Sequence, residues 1–324
     1  MRKINFVLLF LLVTISLVAC GSEKKVDETS TENINVRIGV LRSAQPLNLS
    51  NEDGPLYERL YNVGASVKKV EGFAAMSPAV EALNADEIDI TVGSITAGIS
   101  ALVGGTSEFT IFAKQQSAYE NQGIVAKPNA GIKTPADLKG KKIAVNRGGT
   151  GEYLLYKALE AGNLTADDVK IVYLPPTEAG PAFEGNQVDA WATWGSFTAI
   201  AEVEYNAELV ISAKDIDSVN DTIYVVRNAF LEAHPDIVSE IFEGFREEIE
   251  LYSKNTEETV QLIVERQGVS EAVARKQLVE ATTPLEPITE EVYKGWQETA
   301  DYVFEKRIIP NKVSLKDSVV DITK

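Results

Sequence analysis

The stretch Ala79-Val80-Glu81-Ala82-Leu83-Asn84-Ala85-Asp86-Glu87-Ile88-Asp89 lines up, one hundred residues further on, with Ala179-Gly180-Pro181-Ala182-Phe183-Glu184-Gly185-Asn186-Gln187-Val188-Asp189. In each copy a short helix turns sharply and feeds a strand that opens with aspartate. In the same register, Gly123-Ile124-Val125-Ala126-Lys127 falls opposite Ile223-Tyr224-Val225-Val226-Arg227. A repeat of this length implies two similar α/β lobes.

Around it, short β-branched runs alternate with helical stretches. The expected strands are Val36 to Leu41, Ser66 to Val70, Ile88 to Val92, Phe109 to Ala113, Ile143 to Val145, Lys170 to Leu174, Val188 to Ala192 and Leu209 to Ser212. Such alternation argues for parallel sheets with crossover helices. An open parallel sheet binds ligands beyond the carboxyl ends of its strands. The repeat makes Ser94 and Trp194 equivalent positions at that edge, one per lobe, and two facing edges make a cleft. The segments 123–127 and 223–227 are then expected to cross between the lobes and form the hinge.

The ends and the composition set further bounds. Arg2-Lys3 precedes an apolar run from Ile4 to Val18, too short for a comfortable span and ending in small residues, as a cleavable signal does. It closes on Leu17-Val18-Ala19-Cys20, which resembles the lipobox of bacterial lipoproteins; Cys20 is then the lipidated N-terminus, and two acyl chains give lasting anchorage. The expected organisation is a lipoprotein signal peptide at 1–19, a flexible tether at 20–34, lobe 1 at 35–122 plus 228–324, and lobe 2 at 123–227 including the hinge crossings.

Cys20 is the one cysteine, so disulfides are excluded and stability rests on an ordinary core. A hydrophobic fraction of 44% and mean hydropathy of -0.07 suit a water-soluble chain of one large or two medium domains. The net charge of -17 repels nucleic acid and anionic headgroups. His234, the single histidine, precedes Pro235 at the start of an expected helix over 235–253, a surface position rather than a catalytic one. Without a histidine cluster or a second thiol, Cys/His nucleophiles and common zinc sites are ruled out. Gly148-Gly149-Thr150-Gly151 lacks the lysine of a phosphate-binding loop, and no nucleotide, metal or other cofactor is called for.

From Val36 to about Pro310 the chain resembles the solute-binding proteins of ABC importers, in the branch that takes aliphatic sulfonates, taurine and nitrate. The most specific stretch is Ile132-Lys133-Thr134-Pro135-Ala136-Asp137-Leu138-Lys139-Gly140-Lys141-Lys142-Ile143-Ala144-Val145-Asn146, followed by Gly148-Gly149-Thr150. Val172 to Pro176 and Val188-Asp189-Ala190-Trp191-Ala192-Thr193-Trp194 add to it. The resemblance implies a two-lobed periplasmic-binding-protein fold of type II, each lobe an open, mainly parallel sheet flanked by helices. It implies a monomer outside the cytoplasm, lipid-anchored to the bacterial cell membrane, that passes a small anionic organosulfur solute to a permease with its ATPase. Nitrate, an amino acid or a thiamine pyrimidine precursor are alternative solutes, and an enzyme or receptor-linked sensor is an alternative use of the fold.

Site residues follow from the resemblance and from helix-start chemistry together. Ser43 to Pro46, including Gln45, form the loop after the first strand that borders the ligand in relatives. Ser94 and Thr96 open one helix; Gly149-Thr150-Gly151 opens another where relatives have Gly-Ser-Ser. Helix N-termini present unpaired N–H groups and partial positive charge, which suits an oxyanion, although the same residues serve as N-caps in any α/β protein. Arg42 and Arg147 follow strands at the cleft edge, as ligand partners or as solvated loop charges. Trp194 matches the tryptophan of a family Trp-Asp-Pro-Phe motif, but Gly195-Ser196-Phe197 follow it here.

Overall fold

Residues Val36, Ile38 and Val40 of the first strand are buried, and the strand they build seeds a six-stranded sheet. The computed structural model describes residues 33–116, 118–218 and 220–324; the expected signal segment, Cys20 and most of the tether lie outside the described residues. Among these are β1 (Ile34–Leu41), β2 (Ala65–Phe73), β3 (Ile90–Ser94), β4 (Phe109–Gln115), β5 (Gln122–Ala126), β6 (Lys142–Val145), β7 (Lys170–Tyr173), β8 (Ala190–Trp194), β9 (Glu208–Ser212), β10 (Thr222–Arg227) and β11 (Leu285–Pro287). Ile34, expected to close the tether, belongs to β1 instead.

The first sheet runs β11-β4-β10-β3-β1-β2 and the second β7-β6-β8-β5-β9. Apart from the short edge strand β11, the two orders superpose: β1, β2, β3 and β4 take the places of β6, β7, β8 and β9. With β11 set aside, each sheet has one strand antiparallel to both neighbours, β10 in the first and β5 in the second. Each is the strand by which the chain enters that sheet, so the lobes exchange one equivalent strand. The α/β class and the eight expected strands are all present.

The repeat extends to atomic detail. Asp86 and Asn186 both take left-handed backbone, with φ of 59 and 56, a conformation that short polar side chains tolerate best among non-glycine residues. Glu87 N donates to Ala82 O at 2.8 Å, and Gln187 N to Ala182 O at 2.9 Å, closing the same turn twice. Asp89 and Asp189 then each hold the neighbouring strand, accepting from the amides of Arg37 at 3.0 Å and Lys142 at 2.8 Å.

The crossings differ from the expectation. The chain passes between the sheets at 116–121 and 213–221, while 123–127 and 223–227 fall largely within β5 and β10. Residues 222–227 therefore belong to the first lobe, not the second. The reason is burial: Ile223, Tyr224, Val225 and Val226 are all 0% exposed, as a central strand covered on both faces must be, and such an apolar run carries no alternation to mark it.

After β10 the chain stays with the first lobe. The helix Pro235–Lys254, started by a proline that pre-sets the helical φ, packs against Pro55–Asn62. His234 is its N-cap residue, edge-on to Phe230 at 5.1 Å and remote from the cleft. The helix Glu271–Thr282 packs on Gly195–Glu204 of the second lobe, placing Ala199, Ala274 and Ala281 in one apolar cluster. The helix Glu290–Glu305 reaches the second lobe as well, with Tyr302 edge-on to Tyr153 at 5.7 Å and its hydroxyl donating to Glu160 at 3.1 Å. Among the described residues, no helix is long and apolar enough to cross a membrane.

Candidate functional site

The carboxyl ends of β1, β3, β6 and β8 converge on a cavity of about 350 Å³ between the sheets. Of the residues singled out from sequence, Arg42, Ser43, Gln45, Ser94, Arg147, Gly149, Thr150 and Trp194 line it. Thr96 and Gly151 do not. Thr96 is buried and bonded to Asn220, while the Gly151 amide donates to Asn146 Oδ1 at 3.0 Å. A Cβ at Gly151 would stand 2.6 Å from the Ala192 carbonyl, so glycine is required there by close backbone approach.

The two arginines left open by the sequence are placed differently. Arg42 sends Nη2 to the carbonyl of Gln267 at 3.1 Å, the last residue of the helix Thr256–Gln267. A helix C-terminus favours a cation, so this guanidinium is committed to a structural partner. Arg147 lies over Tyr173, with Cζ 3.6 Å from the ring centroid, and among the described residues it forms no ion pair within 4 Å. The stack follows from register: Val145 pairs with Tyr173 across β6 and β7, so residue 147 emerges beside that ring. Tyr173 is itself anchored, its hydroxyl donating to Glu152 Oε1 at 2.6 Å, while Gly148 N donates to Glu152 Oε2 at 2.6 Å. Burial and the bond to Glu152 push the tyrosine hydroxyl well above its ordinary range, so it stays a donor. The result is a guanidinium held in place at the N-terminus of Thr150–Ala161 before any ligand arrives.

Asn220, in the return crossing, links the two lobes at this point. Its Oδ1 accepts from Thr96 Oγ1 at 3.0 Å and Thr96 N at 3.3 Å, and its Nδ2 donates to Thr150 Oγ1 at 3.0 Å. A threonine hydroxyl that accepts still has its own proton to give, so Thr150 is set up as a donor. Sequence reading passed over Asn220, since an asparagine in a loop has no periodicity or motif to set it apart.

The opposite lip is apolar. Trp194, which meets Phe197 edge-on at 5.6 Å, supplies the aromatic part from the second lobe, and Met76, Val80, Ala97 and Ala101 supply an apolar part from the first. A carboxylate also faces the cavity. Glu280, on Glu271–Thr282, accepts from Asn121 Nδ2 at 2.7 Å and from the Ala44 backbone. Burial pushes its pKa up to about 7, against the pull of those two bonds. Sequence reading missed it too, because glutamates are common on the exposed faces of helices. Among the described residues, no cluster of acidic, histidine or cysteine side chains could hold a metal ion. The cavity therefore offers the Arg147 guanidinium, hydroxyl donors, apolar and aromatic walls and the carboxylates of Glu81 and Glu280, an arrangement suited to holding a small organic ion.

The sequence profile described as NMT1/THI5 like matches residues 115–259. A protein of Bacillus subtilis (strain 168), named as an aliphatic sulfonates-binding protein, is 32% identical over 94% of this chain and 89% of its own length. The crystal structure of the periplasmic aliphatic sulphonate binding protein SsuA from Escherichia coli superposes with a TM-score of 0.78 at 26% identity, covering 88% of this chain and 92% of that one. The desulfurization enzyme DszB, at 14% identity and a TM-score of 0.66 over 89% of this chain and 96% of that one, shares the fold alone. Two lobes built on one repeat, a cleft at their strand ends and this degree of likeness place the chain in the family of the aliphatic sulfonate-binding proteins.

Proposed function

We propose that the protein is the extracytoplasmic solute-binding component of an ABC importer and that it takes a small aliphatic sulfonate in the cleft between its lobes. The observation that carries this reading is Arg147, stacked on Tyr173 in the cleft wall at a helix N-terminus, with no ion pair among the described residues. A guanidinium fixed in this way suits a sulfonate, whose oxygens accept two parallel N–H bonds. Thr150 adds a hydroxyl donor, and Trp194 with Met76 covers the carbon chain. The relatives are binding proteins, and nothing among the described cleft residues pairs a nucleophile with a base. Membrane attachment through Cys20 rests on the lipobox resemblance, and closure about the crossings 116–121 and 213–221 rests on their being the two strand-to-strand links between the sheets.

Thermal-shift screening tests the reading, because a ligand bound only by the folded state raises the melting temperature. Plain and amino-substituted alkanesulfonates should raise it at millimolar concentration, while nitrate and a thiamine pyrimidine should not. A shift with nitrate or the pyrimidine, and none with any sulfonate, would contradict it.

A further inference from the structure

We infer that Glu280 is a specificity-determining residue: it holds a protonated amino group on the solute, so that the cleft selects aminoalkanesulfonates over plain ones. This rests on the sulfonate reading above and adds the second half of the ligand. Glu280 and Arg147 line the same cavity at different parts of its wall. Glu280 stands beside Asn121, Ala44 and Gly195, and Arg147 on Tyr173.

Three observations point to a ligand cation. First, among the described residues no lysine or arginine lies within 4 Å of the Glu280 carboxylate; Arg42, lining the same cleft, is bonded to the Gln267 carbonyl instead. A half-buried carboxylate without a cation is costly, and an ammonium entering the cleft removes that cost. Second, the carboxylate is held in place, since Asn121 Nδ2 donates to Oε1 at 2.7 Å and the Ala44 backbone donates to the carboxylate as well; two donors leave part of its acceptor capacity of about four hydrogen bonds for a ligand. Third, the chain makes room for it. Gly195 has φ of +53, and a Cβ there would stand 2.6 Å from Glu280 Oε1. The place where a side chain at 195 would project is thus occupied by a carboxylate supplied from the other lobe. A purely anionic solute meets a like charge at this wall; a zwitterion meets an opposite charge at both.

Titration calorimetry with taurine and with ethanesulfonate, which differ by the amino group, tests the inference. Wild-type protein should bind taurine at least about tenfold more tightly, the scale of one charge-assisted hydrogen bond. Glu280→Gln keeps the size and the bond from Asn121, and should remove that preference while binding ethanesulfonate at least as well as wild type. Equal loss of both ligands in the variant would make Glu280 a structural residue and overturn the inference. Should the variant not fold, the wild-type ratio decides: ethanesulfonate binding as tightly as taurine overturns the inference and leaves the sulfonate reading standing. Failure of both ligands to bind wild-type protein would overturn the sulfonate reading, and the inference with it.

Discussion

Asp89 and Asp189 occupy the same place in the two lobes, each trading backbone hydrogen bonds with the strand beside it, yet they stand in different surroundings. Asp89 is 1% exposed and is gripped by Arg37 and Arg227, each at 2.7 Å; Asp189 is exposed and, among the described residues, has no ion-pair partner. One partner comes from β1, where Arg37 stands in the place of Lys142, and the other from β10, whose Arg227 falls opposite Lys127, a residue that donates instead to the Glu184 carbonyl at 2.8 Å. The lips diverge as well. In the first lobe Ser94 caps its helix, accepting from Ala97 N at 3.2 Å, and Ile95 follows. In the second lobe Trp194 offers no cap and Gly195 turns left-handed. The repeat preserves what shapes the backbone and changes what lines the cleft.

The largest effect should separate the two aspartates. Asp89→Asn leaves two arginines without their shared carboxylate and should cost about 3 kcal/mol or more in urea unfolding. Asp189→Asn weakens a backbone bond at the surface and should cost about 1 kcal/mol or less. Equal costs would mean that the arginine pair adds nothing to the first lobe.

Asp89 and Glu280 are carboxyls of opposite pH behaviour. Burial alone would raise Asp89, but hydrogen bonds from Arg37 and Arg227 hold it below the usual range. Its contribution is therefore present above the unfolded value near pH 4 and is lost as pH falls below it. Glu280 is the reverse, raised from 4.5 to about 7 by burial. It costs nothing where both states are protonated, and stability falls as pH rises through that interval. Glu280→Gln should thus leave stability nearly unchanged near pH 4 and add roughly 2 kcal/mol near pH 8, read by urea titration at both values. A gain of the same size at both pH values would show that Glu280 does not titrate in this range.

A smaller effect is expected at the turn that distinguishes the lips. Gly195→Ala adds a Cβ in left-handed backbone against Glu280 and should cost about 1 to 2 kcal/mol. Ile95→Ala, at the equivalent turn, loses apolar burial instead and should leave the taurine preference untouched, whereas Gly195→Ala should reduce it by displacing the carboxylate. Calorimetry on the pair checks this; an unchanged preference in both would detach Gly195 from ligand selection.

Much of this was legible in the chain. The repeat located the turn at Asp86 and Asn186, the paired aspartates, and Ser94 opposite Trp194, because each depends on local residues at a fixed offset. Eight strands followed from their β-branched runs. The exchange of β5 and β10 was not legible, since Ile223 to Val226 is apolar throughout and shows no face, so only its long-range pairing assigns it to the first sheet. Glu280 and Asn220 were hidden for a related reason: each reaches the cleft through tertiary packing, one from a distant helix and the other from a crossing. For Arg42 and Arg147, equal in sequence, the partner decides, a helix carbonyl for one and the face of Tyr173 for the other.

That last distinction gives the most direct test of the cleft chemistry. Ethanesulfonate, having no amino group to engage Glu280, should be titrated by calorimetry into wild-type protein, Arg147→Ala and Arg42→Ala. Arg147→Ala should weaken binding about tenfold or more, the scale of a charge-assisted bond to the sulfonate, with Arg42→Ala remaining within about twofold of wild type. Binding unchanged in Arg147→Ala and lost in Arg42→Ala would contradict the assignment of the sulfonate to the Tyr173-supported guanidinium.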